Sequence, residues 1–188
     1  MEWLELLGDS RAALVSDDYG AYTNLTKNHG LCWAHILRKL RDLRDSTVLK
    51  SKTKKHCIDT YQEFSNIYQS ISQVKQTNQS NSYLPKAKHK LINFSQLNPK
   101  DPIKLIRIKK TISKKIDKYL TCLKIPNLPM DNNKAERALR HIVLKRKNSF
   151  GSQNLKSAET LEILLSVLLS LKWSDPDNFF VRYGELRG

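Results

Sequence analysis

Apolar residues recur along this chain with the spacing of a short strand near its start and of helices thereafter. Ala12-Ala-Leu-Val15 is a brief apolar run ending in Ser16-Asp17-Asp18-Tyr19-Gly20. That is the pattern of a buried strand whose C-terminal end presents carboxylates before a turn at Gly20. From residue 31 to 43 the apolar positions Trp33, Ile36, Leu37, Leu40 and Leu43 follow helical spacing, with Arg38, Lys39, Arg41 and Arg44 mostly on the remaining surface. Ile58, Tyr61, Phe64, Ile67 and Ile71 predict a helix over 58–75. The stretch 76–82, rich in Ser, Asn and Gln, reads as a solvated connection, and residues 85–100 as irregular or a short helix. Leu105, Ile108, Ile112 and Ile116 then mark one face of a strong helix, in a unit ended by Pro126 and Pro129.

Asp131 is placed to cap the next helix. The packing face of that helix is Ala135, Ala138, Leu139 and Ile142, with Glu136 partly buried at its border. The apolar run 161–173 is interrupted by Glu162, Ser166, Ser170 and Lys172. It is too short to span a bilayer and predicts a buried helix over about 157–172. Only one strand is convincing. Without ladder partners its backbone groups would stay unpaired, so the expectation is that what should pair with it lies outside this chain.

Charge changes the picture from fold to partner. Against 18 Asp and Glu stand 33 Lys and Arg, a formal net charge of +15. Such an excess favours polyanions, whose counterions are released on binding. It is also clustered: eight Lys/Arg against two Asp over 36–55, seven against two over 101–120, and six against one Glu over 134–147. Three cysteines, odd in number and widely spaced, imply no disulfide framework and suit a reducing cytosol.

The candidate chemistry follows from residue types. Asp17 at a strand end and Glu136 on a helix are the kind of paired acids a two-metal phosphoryl-transfer site needs, since bridging carboxylates hold the cations that clamp attacking and leaving oxygens. Spacing alone equally allows a surface Asp and a Glu136–Arg140 ion pair. Cys32-Trp-Ala-His35 resembles half of a zinc site. His56 and Cys57, being adjacent, cannot easily both reach one ion, which favours a buried thiol and a helix-start histidine. Trp33, Tyr19 and Tyr22 could stack on bases; aromatic residues at strand and helix starts are expected in the core.

Four segments together resemble bacterial transposases of the insertion-sequence-66 family. They are Leu14-Val-Ser-Asp-Asp-Tyr-Gly-Ala-Tyr22, Leu31-Cys-Trp-Ala-His-Ile-Leu-Arg-Lys39, Asp131-Asn-Asn-Lys-Ala-Glu-Arg-Ala-Leu-Arg140 and Val143-Leu-Lys-Arg-Lys-Asn-Ser-Phe-Gly-Ser152. The resemblance covers about residues 8–172 and is weak over 58–125. It implies a ribonuclease-H-like catalytic domain whose Asp, Asp, Glu triad binds two Mg²⁺ ions. In that pattern Asp17 is the second Asp and Glu136 the final Glu. The triad would serve hydrolysis of a phosphodiester at the element's end, then attack of the freed 3′-hydroxyl on target DNA. Arg137, Arg140, Arg146 and Lys147 would hold DNA phosphates, and Cys32 and His35 lie beside the site.

The resemblance also implies a departure. The family's first catalytic Asp and first three strands precede the segment matching 14–22. The expected fold is therefore mostly α, with a remnant of an α/β ribonuclease-H-like core. Residues 1–57 are the remnant carrying the second Asp, 58–130 a basic helical insert, and 131–188 the Glu-bearing and C-terminal helices. The expected function is that of a C-terminal fragment of a DDE-type transposase, inactive alone and with an incomplete Mg²⁺ site. Its expected partners are element-end and target DNA and intact transposase subunits, with no membrane. Its expected location is the bacterial cytoplasm, at the nucleoid. The alternatives are a non-catalytic basic DNA-binding remnant and an unstable pseudogene product.

Overall fold

A computed structural model of the chain describes residues 13–22, 25–77, 79–148, 154–175, 177–178 and 181. It divides into two compact units, residues 1–133 and 134–188.

In the first unit β1 (Leu14–Ser16) is paired. Its partner is β2 (His29–Leu31), in parallel, with Leu14 opposite His29 and Ser16 opposite Leu31. The expectation of an unpartnered strand is thus overturned. A three-residue His-Gly-Leu strand has no β-branched residue and no alternation, so local pattern could not reveal it. Long-range packing makes it: a Cβ on Gly30 would stand 3.5 Å from Thr121 and Leu128 and 3.6 Å from Val15. The ladder runs on past β2, with the Cys32 amide donating to the Ser16 carbonyl at 2.8 Å.

Helix α1 (Trp33–Arg44) buries Trp33, Ile36, Leu40 and Leu43, the face its spacing predicts. Helix α2 (Ser51–Gln76) begins seven residues before the predicted start and buries Cys57, Thr60, Phe64, Ile67 and Ile71. The predicted connection shortens, since α2 runs to Gln76, and the segment read as irregular or a short helix falls largely in the fifteen-residue α3 (Ser80–Phe94). Pro85 inside it and the flanking Ser and Lys residues masked an apolar face of Ala87, Leu91 and Phe94, all buried. Helix α4 (Ile103–Lys114) buries Leu105, Ile108 and Ile112 and ends before Ile116; Lys115 leaves helical geometry (φ −132°, ψ 22°). The short α5 (Ile116–Tyr119) and α6 (Thr121–Lys124) follow.

These helices share one core with Trp33 at its centre, fully buried as expected. Its indole stacks on Phe64 (5.3 Å between centroids), meets Tyr119 edge-on at 5.7 Å, and donates from Nε1 to the Tyr119 carbonyl at 2.9 Å. Phe94 extends the cluster through Phe64 at 5.0 Å. Beneath α2 and α4 lies a buried ionic knot. Asp101 meets His56 at 2.7 Å, Lys109 at 2.9 Å and the Asn98 amide at 2.8 Å. Burial pushes the Asp101 carboxyl up, but these donors prevail and hold it below its ordinary value.

Helix α7 (Asn133–Asn148) carries the second unit's first turn, and α8 (Leu155–Ser174) closes the described helices. Asn154 caps α8, its side chain accepting from the Ser157 amide at 2.8 Å. Two expectations fail here. Ala135 of the predicted α7 packing face is exposed, whereas the side chains of Leu139 and Ile142 lie outside the described residues. On α8, Leu155, Ile163, Leu164 and Val167 are exposed rather than buried. Apolar residues surround this helix instead of forming a stripe, so no single face could bury them all. Among the described residues no helix is long and apolar enough to cross a membrane.

Candidate functional site

Strand β1 delivers Asp17 and Asp18 to the C-terminal edge of the parallel pair, the side of an open α/β sheet at which ligands bind. The two acids are not equivalent. Asp18 is held by Lys115, Oδ1 to Nζ at 2.5 Å, so this lysine already neutralises it. Asp17 Oδ1 accepts from the Tyr19 amide at 3.4 Å, which sets the turn that follows.

Behind them lies a pair that the motifs did not reveal. His29 Nε2 and Ser16 Oγ are 2.8 Å apart, and Ser16 Oγ also donates to the Asp17 carbonyl at 2.7 Å. A hydroxyl has one proton, so Nε2 is the donor to Ser16 and the neutral tautomer leaves Nδ1 an acceptor. His29 is buried, and burial first, then Lys118, holds its pKa below the ordinary value. The only sequence signal for it was a histidine opening an unrecognised strand.

The Cys32–His35 segment and the Asp131–Asn133 segment, ninety-odd residues apart, meet at the start of α1. The Trp33 amide donates to the Met130 carbonyl at 3.0 Å. Amides of Asn132, His35 and Ala34 face the Cys32 thiol and favour its thiolate, but burial outweighs them and raises its pKa. Cys32 is thus a buried thiol, not an activated one. Asp131 accepts from the Asn133 amide at 3.0 Å and from the Tyr68 hydroxyl at 3.4 Å, and Arg38 reaches Asn133 Oδ1 at 3.5 Å. His35 is half-buried on α1. His56, the other half of the zinc consideration, is committed to Asp101.

The first unit therefore gathers three motif segments: the end of β1, the start of α1 and the entry to α7. Glu136 lies in the second unit, half-buried in the first turn of α7, where the helix dipole favours a carboxylate. Arg137, Arg140 and Lys147 are exposed on α7 within roughly 80° of arc at 3.6 residues per turn. The side chain of Arg146 lies outside the described residues. Among the described residues no group of three or more His, Cys, Asp or Glu could hold a metal ion.

One sequence expectation is corrected here. Tyr19 and Tyr22 are not core residues: they are 64% and 39% exposed, on the turn that leaves β1.

A family model described as "Transposase IS66 family" matches residues 2–160. Among curated proteins the chain is similar to "Uncharacterized protein y4jO" of Sinorhizobium fredii (strain NBRC 101917 / NGR234). The two are 28% identical over 168 residues, which is 89% of this chain and 49% of that relative. The chain thus spans about half the length of the curated relative it matches. No solved structure matches.

Proposed function

This chain belongs to the IS66 transposase family, and from that premise we propose that it supplies part of a DDE-type, ribonuclease-H-like site for DNA cleavage and strand transfer. Asp17 takes the part of the second Asp and Glu136 that of the final Glu. The observation that carries this assignment is the inequality of the two strand-end acids: Lys115 occupies Asp18 and leaves Asp17 as the carboxylate available beside the strand.

The donor chemistry fits a hard divalent cation, since both assigned ligands are carboxylates and Asp17 commits one oxygen to a weak amide contact. Mg²⁺, when bound, would activate the attacking oxygen and stabilise the leaving one. The chain's own residues do the rest. Asp17 and Glu136 hold the charge, and Arg137, Arg140, Arg146 and Lys147 hold phosphates. The family's site needs three carboxylates, and the motifs here assign two of them, Asp17 and Glu136. The cytoplasm and nucleoid are where such a protein would work, with intact transposase subunits as further partners.

Asp17→Asn should weaken Mg²⁺-dependent binding of element-end duplex, measured by fluorescence anisotropy, whereas Asp18→Asn should not. Equal effects of both variants would sink the proposal. A second reading, DNA binding without any catalytic part, is favoured by the exposed cations Lys104, Arg107, Lys110 and Lys114 on α4. It predicts salt-sensitive binding that is indifferent to Mg²⁺ and to Asp17→Asn.

A further inference from the structure

Tyr19 and Tyr22 stand immediately beyond the strand-end carboxylates. The 3₁₀ turn Gly20–Tyr22 presents them, closed by the Tyr22 amide donating to the Tyr19 carbonyl at 3.1 Å. The Tyr19 amide is itself tied to Asp17. The two rings meet edge to face, 5.9 Å between centroids and 69° between planes, so each fixes the other's orientation while both remain open to solvent. Gly20, between them, faces open space: a Cβ there would meet nothing within 4 Å.

Single exposed aromatic residues need no explanation. Two of them, braced against each other on a closed turn beside a candidate phosphodiester-processing carboxylate, hold solvent-exposed ring faces in a fixed orientation on which a planar group can stack. Charge decides what suits that surface. Asp17 disfavours a bare phosphate at this spot, and Lys115 is spent on Asp18. A neutral planar group meets no such penalty.

We propose that Tyr19 and Tyr22 form a stacking platform for an unpaired nucleobase of the DNA strand at Asp17. This deepens the DNA-processing function proposed above and rests on it. Every base has a π-face, so the platform is tolerant of sequence and selective for bases outside the duplex. Such a base can come from a single-stranded overhang or from a nucleotide extruded from the helix.

The test uses the full chain and two hairpin DNAs, one blunt and one with a four-nucleotide overhang, each carrying 2-aminopurine at its end. The overhang should tighten binding and the probe's fluorescence should fall on binding. Tyr19→Ala and Tyr22→Ala should each remove about tenfold of that advantage and leave blunt-duplex affinity unchanged. Tyr19→Phe and Tyr22→Phe should retain it, because the ring and not the hydroxyl does the stacking. A tyrosine-dependent fluorescence change in the blunt hairpin instead would also support the platform, with an extruded base as its occupant. Alanine variants that keep both the preference and the fluorescence change overturn it. Wild-type binding to both hairpins with equal affinity and no fluorescence change overturns the platform and leaves DNA binding standing. Failure to bind either DNA removes the DNA function and the platform together. Both tyrosines are exposed, so circular dichroism melts of the variants should match wild type.

Discussion

The helical core of the first unit and the motif-bearing helices of the second differ in what their residues are for. Over 58–125, where the sequence carries none of the four quoted motif segments, Phe64, Ile71, Leu91, Leu105 and Ile112 are fully buried in the core with Trp33. Over 131–152, where the resemblance is densest, Glu136 is only half-buried and Arg137 and Arg140 face solvent. Packing accepts any apolar set of suitable volume and pattern, so a core can drift in sequence and keep its shape. A carboxylate that holds charge, or a guanidinium that grips phosphate, has no substitute of merely similar size. The least recognisable region therefore carries the core, and the most recognisable one carries the residues to which the proposed chemistry is assigned.

The largest effect should come from the centre of the core. Trp33→Ala removes the contacts with Phe64 and Tyr119 and the bond to the Tyr119 carbonyl. It should cost roughly 3–5 kcal/mol in urea unfolding of the full chain. A loss under about 1 kcal/mol would mean that Trp33 is not the keystone described above.

Next is the ionic knot. Asp101→Ala strands Lys109 in a buried position and should cost roughly 3–5 kcal/mol, whereas a surface pair such as Lys115–Asp18 should contribute about 0–1 kcal/mol. The Asp101 pKa is lowered on folding, so the unfolded chain binds its proton more readily. Its contribution is present above the ordinary carboxylate range and is lost as pH falls through the depressed folded value. Stability of the wild type should therefore drop more steeply with acid than that of Asp101→Asn. Parallel pH profiles would contradict this.

The site-proximal residues should matter less to stability. His29 also has a lowered pKa, so the native state favours its neutral form and loses stability as pH falls below the ordinary histidine range. His29→Gln should shrink that loss, read as the difference in denaturation midpoint between pH 7.5 and 5. Asp131→Ala removes the acceptor for the Asn133 amide and should cost about 1 kcal/mol.

The smallest effect should fall on α8, where the comparison is most exposed to refutation. Ile163 is 65% exposed, and Ile163→Ala should change stability by no more than about 0.5 kcal/mol. A loss of 2 kcal/mol or more would show that this helix is covered in solution and that the second unit has a core of its own.

The sequence by itself determined the family, the helices with strong periodicity and the residues suited to chemistry. The faces of α1, α2 and α4 and the clustered cations were legible, and Asp17 and Glu136 stood out as candidates, because each depends on residues close together in the chain or on a motif whose letters are few and specific. Tertiary structure alone decided the rest. The pairing of β1 with His29–Leu31, the engagement of Asp18 but not Asp17, the Asp101 knot and the exposure of Tyr19 and Tyr22 all depend on partners distant in sequence or on the surface that the completed fold leaves open. A three-residue strand has no pattern of its own, and a charge acquires its role only when folding chooses its neighbour.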